Sequence, residues 1–208
     1  MPVDATGTAV DGASSRSTRA AVLLSDVFAP PWVMLATQLV VAWHVTSSTA
    51  QALRWAVLTG MFTAVVPYAF VLLGVRLGRW SDRHIRVRHQ RLVPTLFGLS
   101  TCLLGLVLLN VWGAPVQLLV VLVAIIASIP PFVLINVWWK ISIHAGCMGG
   151  SLVVLTDILG APAAVAGAAV LPLTSWARVR LRDHTTGQVI AGALLGAVVV
   201  ASVYLPLR

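Results

Sequence analysis

Seven apolar segments follow one another along this chain, at residues 27–46, 55–75, 94–112, 116–139, 145–159, 162–176 and 189–205. Most approach the roughly 20 residues that an α-helix needs to cross the hydrocarbon core of a bilayer. A chain of this kind has to satisfy its backbone polar groups within each segment, which selects helices over open sheets. Of the 208 residues, 59% are hydrophobic and only 10% are charged, and the mean hydropathy is +0.94, outside the range of soluble globular domains. The expected fold is therefore all-α, a polytopic membrane helical bundle of about six to seven transmembrane helices over residues 27–208. Residues 1–26 are small and polar with no continuous apolar core, so they read as a disordered N-terminal tail and not as a cleaved signal. The fifth and sixth segments are short and rich in Gly and Ala, which predicts a tight hairpin turned at Gly160, Ala161 and Pro162.

Lys and Arg number 14 against 6 acidic residues, giving a net charge of +8. No basic helix carries interleaved surface aromatics, so nucleic acid is excluded as the partner; the Trp residues lie in or beside apolar runs, as interfacial anchors do. Cys102 and Cys147 lie in apolar context without metal-ligand spacing, and two reduced buried thiols are expected. Sorted by side, the polar connections facing the N-terminus hold Arg16, Arg19, Arg76, Arg79, Arg83, Arg86, Arg88, Arg91, Lys140, Arg178, Arg180 and Arg182, whereas the other side holds Arg54 and Arg208. The excess of positive charge predicts that the first side is cytoplasmic, in a multi-pass protein of a bacterial plasma membrane.

The same sorting brings three polar stretches to one face. GRWSDRHIRVRHQRLVP, KISIHAG and ARVRLRDHTTGQ follow the second, fourth and sixth segments. Together they supply many Arg, one Lys, two well-placed His and almost no carboxylate. Arg presents a planar fork of donors matched to phosphate oxygens, and several of them around one point call for a polyanion. At a membrane edge that polyanion is a lipid-linked phosphate. A Mg²⁺ site of the kind used by membrane prenyltransferases needs several carboxylates; the chain has no Glu, and only Asp82 and Asp183 fall in these polar stretches. No metal and no cofactor are expected.

ARVRLRDHTTGQ resembles the third motif of the type 2 phosphatidic acid phosphatase superfamily, SRxxxxxHxxxD, with Arg178 and His184 at the family spacing. KISIHA is similar to the second motif, PSGH, with Ser142 and His144 in register. RHIRVRHQRLVP resembles the first, KxxxxxxRP, more loosely: Arg91 stands for its Arg, Pro94 comes two residues late, and His84, with Arg83 beside it, takes the position of its Lys. The resemblance implies a metal-independent phosphohydrolase in which His184 is the nucleophile and His144 the general acid and then base, with phosphoryl oxygens held by Arg178, Lys140, Ser142, Arg83, Arg88 and Arg91. Gln188 stands where the family has Asp, and Ala177 replaces the motif Ser. A Gln carbonyl can fix the His tautomer but brings no charge to stabilise an imidazolium. Thr185 to Gln188 also matches a capping box, so Gln188 serves the last helix, the site, or both.

The expected activity is hydrolysis of a lipid-linked phosphate or diphosphate, such as a polyprenyl phosphate, phosphatidate or a prenyl-linked sugar phosphate, through a phosphohistidine. The competing readings are a non-catalytic membrane protein that binds anionic lipid or a partner through the same basic face, and a lipid phosphotransferase in which an alcohol replaces water.

Overall fold

The computed structural model describes residues 10–208; the side chains of residues 10–15 and of Arg88 lie outside the described residues. Nine α-helices account for most of that span, and it contains no strand. They are α1 (Val10–Val27), α2 (Pro30–Val45), α3 (Thr49–Gly60), α4 (Val66–Arg76), α5 (Leu92–Val111), α6 (Val116–Trp138), α7 (Ile143–Leu159), α8 (Ala161–Arg180) and α9 (Thr186–Leu207). A π-helical turn, Met61–Val65, joins α3 to α4 into one span of 28 residues.

Four helices among the described residues are long and apolar enough to cross a membrane: Thr49–Arg76, His89–Val111, Val116–Trp138 and Thr186–Leu207. A fifth is reached if α1 and α2, bent by 49° at their junction, count as one span. This is fewer than the six to seven expected from sequence. The bend follows from Pro30 and Pro31, whose missing N–H groups and effect on Ala29 stop one helix and start another. α7 is apolar but has only 17 residues. α8 is long enough, yet its Ala, Gly and Pro residues are weakly apolar and Arg178 and Arg180 occupy its last turn. Outward-facing Leu104, Val107, Leu134 and Val198 are exposed on the long helices, as on a surface that meets lipid.

Of the tail expected at residues 1–26, residues 1–9 lie outside the described residues, and from Val10 the chain is helical. α1 lacks an apolar run because it docks with small residues, burying Ala21 and Ser25 as it packs against α8. Such a helix draws its stability from tertiary contact and not from its own periodicity.

The hairpin turn predicted at Gly160 is present. Gly160 closes α7 and precedes α8 at φ +69°, a conformation that suits glycine. Beyond it α8 returns and α9 runs parallel to α7, and these two form the closest helix pair of the bundle. Their backbones touch through glycines: a Cβ on Gly192 would stand 2.4 Å from the Ser142 carbonyl oxygen, and one on Gly196 would stand 2.0 Å from that of Gly146. Because α7 and α9 both begin at the polar end, this contact fixes the starts of the two helices against each other.

Candidate active site

Two helix starts and one helix end build the site. α6 stops at Trp138, and Ser142 caps α7, its Oγ accepting the Ala145 N–H at 3.4 Å. α8 runs out after Arg180; Arg182 turns back at φ +57°, and the backbone N–H groups of Asp183 and His184 both donate to the Arg178 carbonyl. That turn carries His184 back over Arg178, although a spacing of six would separate them on a continuous helix. Thr185 then caps α9 with the full capping box, accepting from the Gln188 N–H while Gln188 Oε1 accepts the Thr185 N–H at 3.1 Å.

The second and third polar stretches hold each other reciprocally. Lys140 Nζ donates to the Asp183 carbonyl at 2.7 Å, and His184 Nδ1 lies 3.0 Å from the Lys140 carbonyl. Gln188 Oε1 is a second acceptor 3.3 Å from the same nitrogen, and the Ser142 N–H donates to the Gln188 carbonyl at 3.2 Å. With only acceptors facing Nδ1, that atom carries the ring proton and Nε2 keeps its lone pair. Gln188 thus performs both tasks that the sequence left open, capping α9 and orienting His184. The negative charge that a carboxylate would add is absent.

His184 and His144 line one cavity of about 220 Å³, together with Arg83, His84 and Arg91. His144 is buried and its Nε2 has no hydrogen-bond partner among the described residues, a state that buried polar atoms rarely tolerate without a ligand or water. Arg91 donates Nε to the Ile85 carbonyl at 2.9 Å and Nη1 to Asn136 and to the Ile141 carbonyl. Behind this wall Arg178 is almost wholly buried: Nη1 donates to Ser25 Oγ, Nη2 lies 3.1 Å from Asp183 Oδ2 without hydrogen-bond alignment, and Nε is unpartnered. Arg86, on the solvent side, pairs with the other Asp183 oxygen at 2.9 Å.

Of the residues singled out in the sequence, Arg83, His84, Arg91, His144 and His184 reach the cavity. Lys140, Ser142, Gln188 and Arg178 stand behind it, positioning others. Ser142 is fully buried as a helix cap, Lys140 is drawn toward the Asp183 carbonyl, and the Arg88 side chain lies outside the described residues. Three acidic or hydroxyl partners were given no role in the sequence reading: Asp183, which neutralises Arg178; Ser25; and Asp26, which binds Arg83 at 2.6 Å and His84 at 3.0 Å. Asp26 was legible only as a rare acidic residue in a chain that has six, placed just before the first apolar segment.

Comparison with protein-family models, with curated proteins and with solved structures finds no match for this chain. The chemistry must therefore be read from the groups themselves. Burial, with the guanidiniums of Arg178 and Arg91 nearby, pulls His184 down to about 4, against the small opposing effect of the Lys140 carbonyl. Burial and the charge of Arg91 also lower Lys140. His184 is consequently neutral, with Nε2 available, throughout the physiological range. Between its unfolded value of 6.5 and about 4, the unfolded chain takes up a proton that the folded chain refuses. Stability is then lost as pH falls through that window, by about 3 kcal/mol from this residue. Denaturation of the detergent-solubilised protein at pH 7 and pH 4 measures it: His184→Gln is expected to show a correspondingly shallower pH dependence, and an unchanged slope overturns the assignment.

Proposed function

We propose that this protein is a metal-independent membrane phosphatase that hydrolyses a lipid-linked phosphate or diphosphate through a phosphohistidine, as its resemblance to the type 2 phosphatidic acid phosphatases implies. The observation that carries the reading is the shared cavity: two buried histidines, one tautomerically fixed and one with an orphaned Nε2, meet beside Arg91 with Arg178 behind. In the first step the lone pair on His184 Nε2 attacks phosphorus and the bond to the leaving oxygen breaks, while His144, which burial and then Arg178 keep neutral in the free protein, passes to that oxygen the proton that the phosphate monoanion brings into the cavity. In the second, His144 takes a proton from water, whose oxygen attacks the same phosphorus and releases His184 and phosphate. The guanidiniums stabilise charge on the transferring group. Among the described residues no group of three or more His, Cys, Asp or Glu side chains is arranged to hold a metal ion.

The lipid half of the reading rests on a second cavity. About 520 Å³ of largely apolar space lies among α2, α5, α6, α7 and α9, lined by side chains such as Met34, Val121, Ile125 and Phe132. It shares Pro30, Met34, Thr63, Arg91, Thr95 and Ile143 with the histidine cavity, so a phosphate at Arg91 leads directly into a space for an apolar tail. The one-sided distribution of Lys and Arg supports a cytoplasmic site.

Two observations favour the non-catalytic alternative, an anionic-lipid-binding protein. Arg178 is already neutralised by Asp183, and His184 faces neutral acceptors only. Purified protein with a panel of lipid phosphates in EDTA separates the two. Phosphate release in the chelator is expected; no release from any lipid phosphate, with binding retained, establishes the alternative.

A further inference from the structure

His84 lies on the cavity wall in an arrangement that neither the nucleophile nor the general acid requires. The loop between α4 and α5 is shaped by Asp82, whose carboxylate accepts the backbone N–H groups of His84 at 2.8 Å and Arg86 at 3.2 Å. Ile85 follows at φ +45°, a left-handed conformation that a β-branched residue adopts only when its surroundings impose it. The Ile85 carbonyl in turn accepts Arg91 Nε, which ties the loop to the start of α5. The result faces the His84 ring toward that of His144, with centroids 5.4 Å apart, and leaves its side chain 13% exposed while neighbouring Arg83 is 48% exposed.

The two nitrogens of His84 have different surroundings. Nε2 is 3.0 Å from Asp26 Oδ1, whose other oxygen holds Arg83, and 3.5 Å from Arg83 Nε. Nδ1 makes no hydrogen bond to any described residue. The shorter contact, to the Asp26 carboxylate, outweighs the longer one from Arg83 and keeps the proton on Nε2, and Nδ1 presents a lone pair when the ring is neutral and an N–H donor when it is protonated. The titratable and charged groups around the ring are Asp26 from α1, His144 from α7, His184 from the turn between α8 and α9, Arg178 from α8, Arg91 at the start of α5, and Arg83 and Asp82 on its own loop. Burial lowers the proton affinity of His84, Asp26 opposes that, and Arg178 adds to it; a bound anion shifts the balance toward the protonated ring.

We propose that His84, held by Asp26, is a proton-gated ligand for the phosphoryl group, donating from Nδ1 only in its protonated form, so that each anion bound in the cavity takes up a proton there. This rests on the cavity being the phosphoryl site proposed above. It makes binding tighter in acid: affinity is retained below the proton affinity of His84 in the free protein and falls as pH rises above it, by about tenfold per pH unit for one linked proton.

Inorganic sulfate is a suitable probe because it stays dianionic between about pH 5 and 8, so any pH dependence belongs to the protein. Its affinity is read from the sulfate-dependent rise in melting temperature of the full chain. The wild type is expected to lose affinity as pH rises. His84→Lys, which carries a fixed charge, is expected to flatten that dependence by one proton while keeping affinity at pH 5. His84→Gln, which carries none, should be flattened at the weaker level. Asp26→Asn should shift the loss of affinity to lower pH without removing it. A His84→Lys slope equal to that of the wild type overturns the proposal, as does absence of sulfate binding by the wild type at pH 5. The phosphatase reading fails separately: proton-linked sulfate binding in a protein that releases phosphate from no lipid phosphate leaves His84 as an anion ligand and removes the enzyme.

Discussion

His184→Ala is expected to abolish phosphate release from lipid phosphates while the protein remains folded. His184 turns its free Nε2 lone pair to the cavity beside His144 and Arg91, with the Lys140 carbonyl at 3.0 Å and Gln188 Oε1 at 3.3 Å setting its tautomer, whereas His84, the other ring with a fixed tautomer, is assigned to binding. The fold survives because the Gln188 capping box and the Ser142 to Gln188 backbone bond hold α7 and α9 without the imidazole. His144→Ala should cost on the order of 10²-fold or more, the scale of a positioned acid or base, with substrate binding less affected. Rates are measured in EDTA with the same lipid phosphate. Release that persists in His184→Ala overturns the phosphohistidine. Gln188→Glu refines the result: it keeps the length that reaches both Thr185 N–H and His184 Nδ1, and adds the negative charge that stabilises an imidazolium. Turnover should hold or rise, and a fall by an order of magnitude or more would show that the site is built around a neutral acceptor.

Gly192→Ala and Gly196→Ala are expected to be among the most damaging single-methyl changes in the bundle, together with Gly149→Ala, whose Cβ would stand 2.2 Å from the Ala193 carbonyl oxygen. The new Cβ at 192 meets the Ser142 carbonyl oxygen at 2.4 Å, and that at 196 meets the Gly146 carbonyl oxygen at 2.0 Å. Both obstacles are backbone, so no rotamer change relieves them, and α9 has to move off α7. Overpacking of this kind costs about 1 to 3 kcal/mol. The effect on function should exceed the effect on stability at Gly192, because Ser142 begins α7 two residues from Lys140, whose carbonyl orients His184. Gly98→Ala is the control, since its Cβ meets only Pro67 at 3.9 Å. Thermal unfolding in detergent together with the rate on a lipid phosphate measures both. Equal stability of the Gly98, Gly192 and Gly196 variants would remove the close approach.

The all-helical character was legible in the sequence because it depends on local quantities: apolar run length, and the demand that a backbone in hydrocarbon satisfy itself. The convergence of the three polar stretches was legible for a similar reason, since alternating crossings place every second connection on one side. Thr185 and Gln188 announced the start of α9 through side chains that bond to their own neighbourhood. The number of spans was read too high because apolar runs along a chain do not separate a helix that is too short and sheltered by neighbours, such as α7, or one that is weakly apolar and ends in Arg178 and Arg180, such as α8, from one that crosses the bilayer.

Sequence alone determined the residue types at the site, their order and their side of the bundle. Tertiary structure alone decided which of them face the cavity. Lys140, Ser142 and Arg178 were drawn away into bonds with the Asp183 carbonyl, the α7 backbone, Ser25 and Asp183, whereas His84 was turned inward by Asp26 from a helix that the sequence reads as a disordered tail. Ser25 and Asp26 lie 153 and 58 residues from the side chains they bind, Arg178 and His84. A pairing over that distance leaves no local signature, because its energy arises only when the two helices and the loop that carry it have already packed.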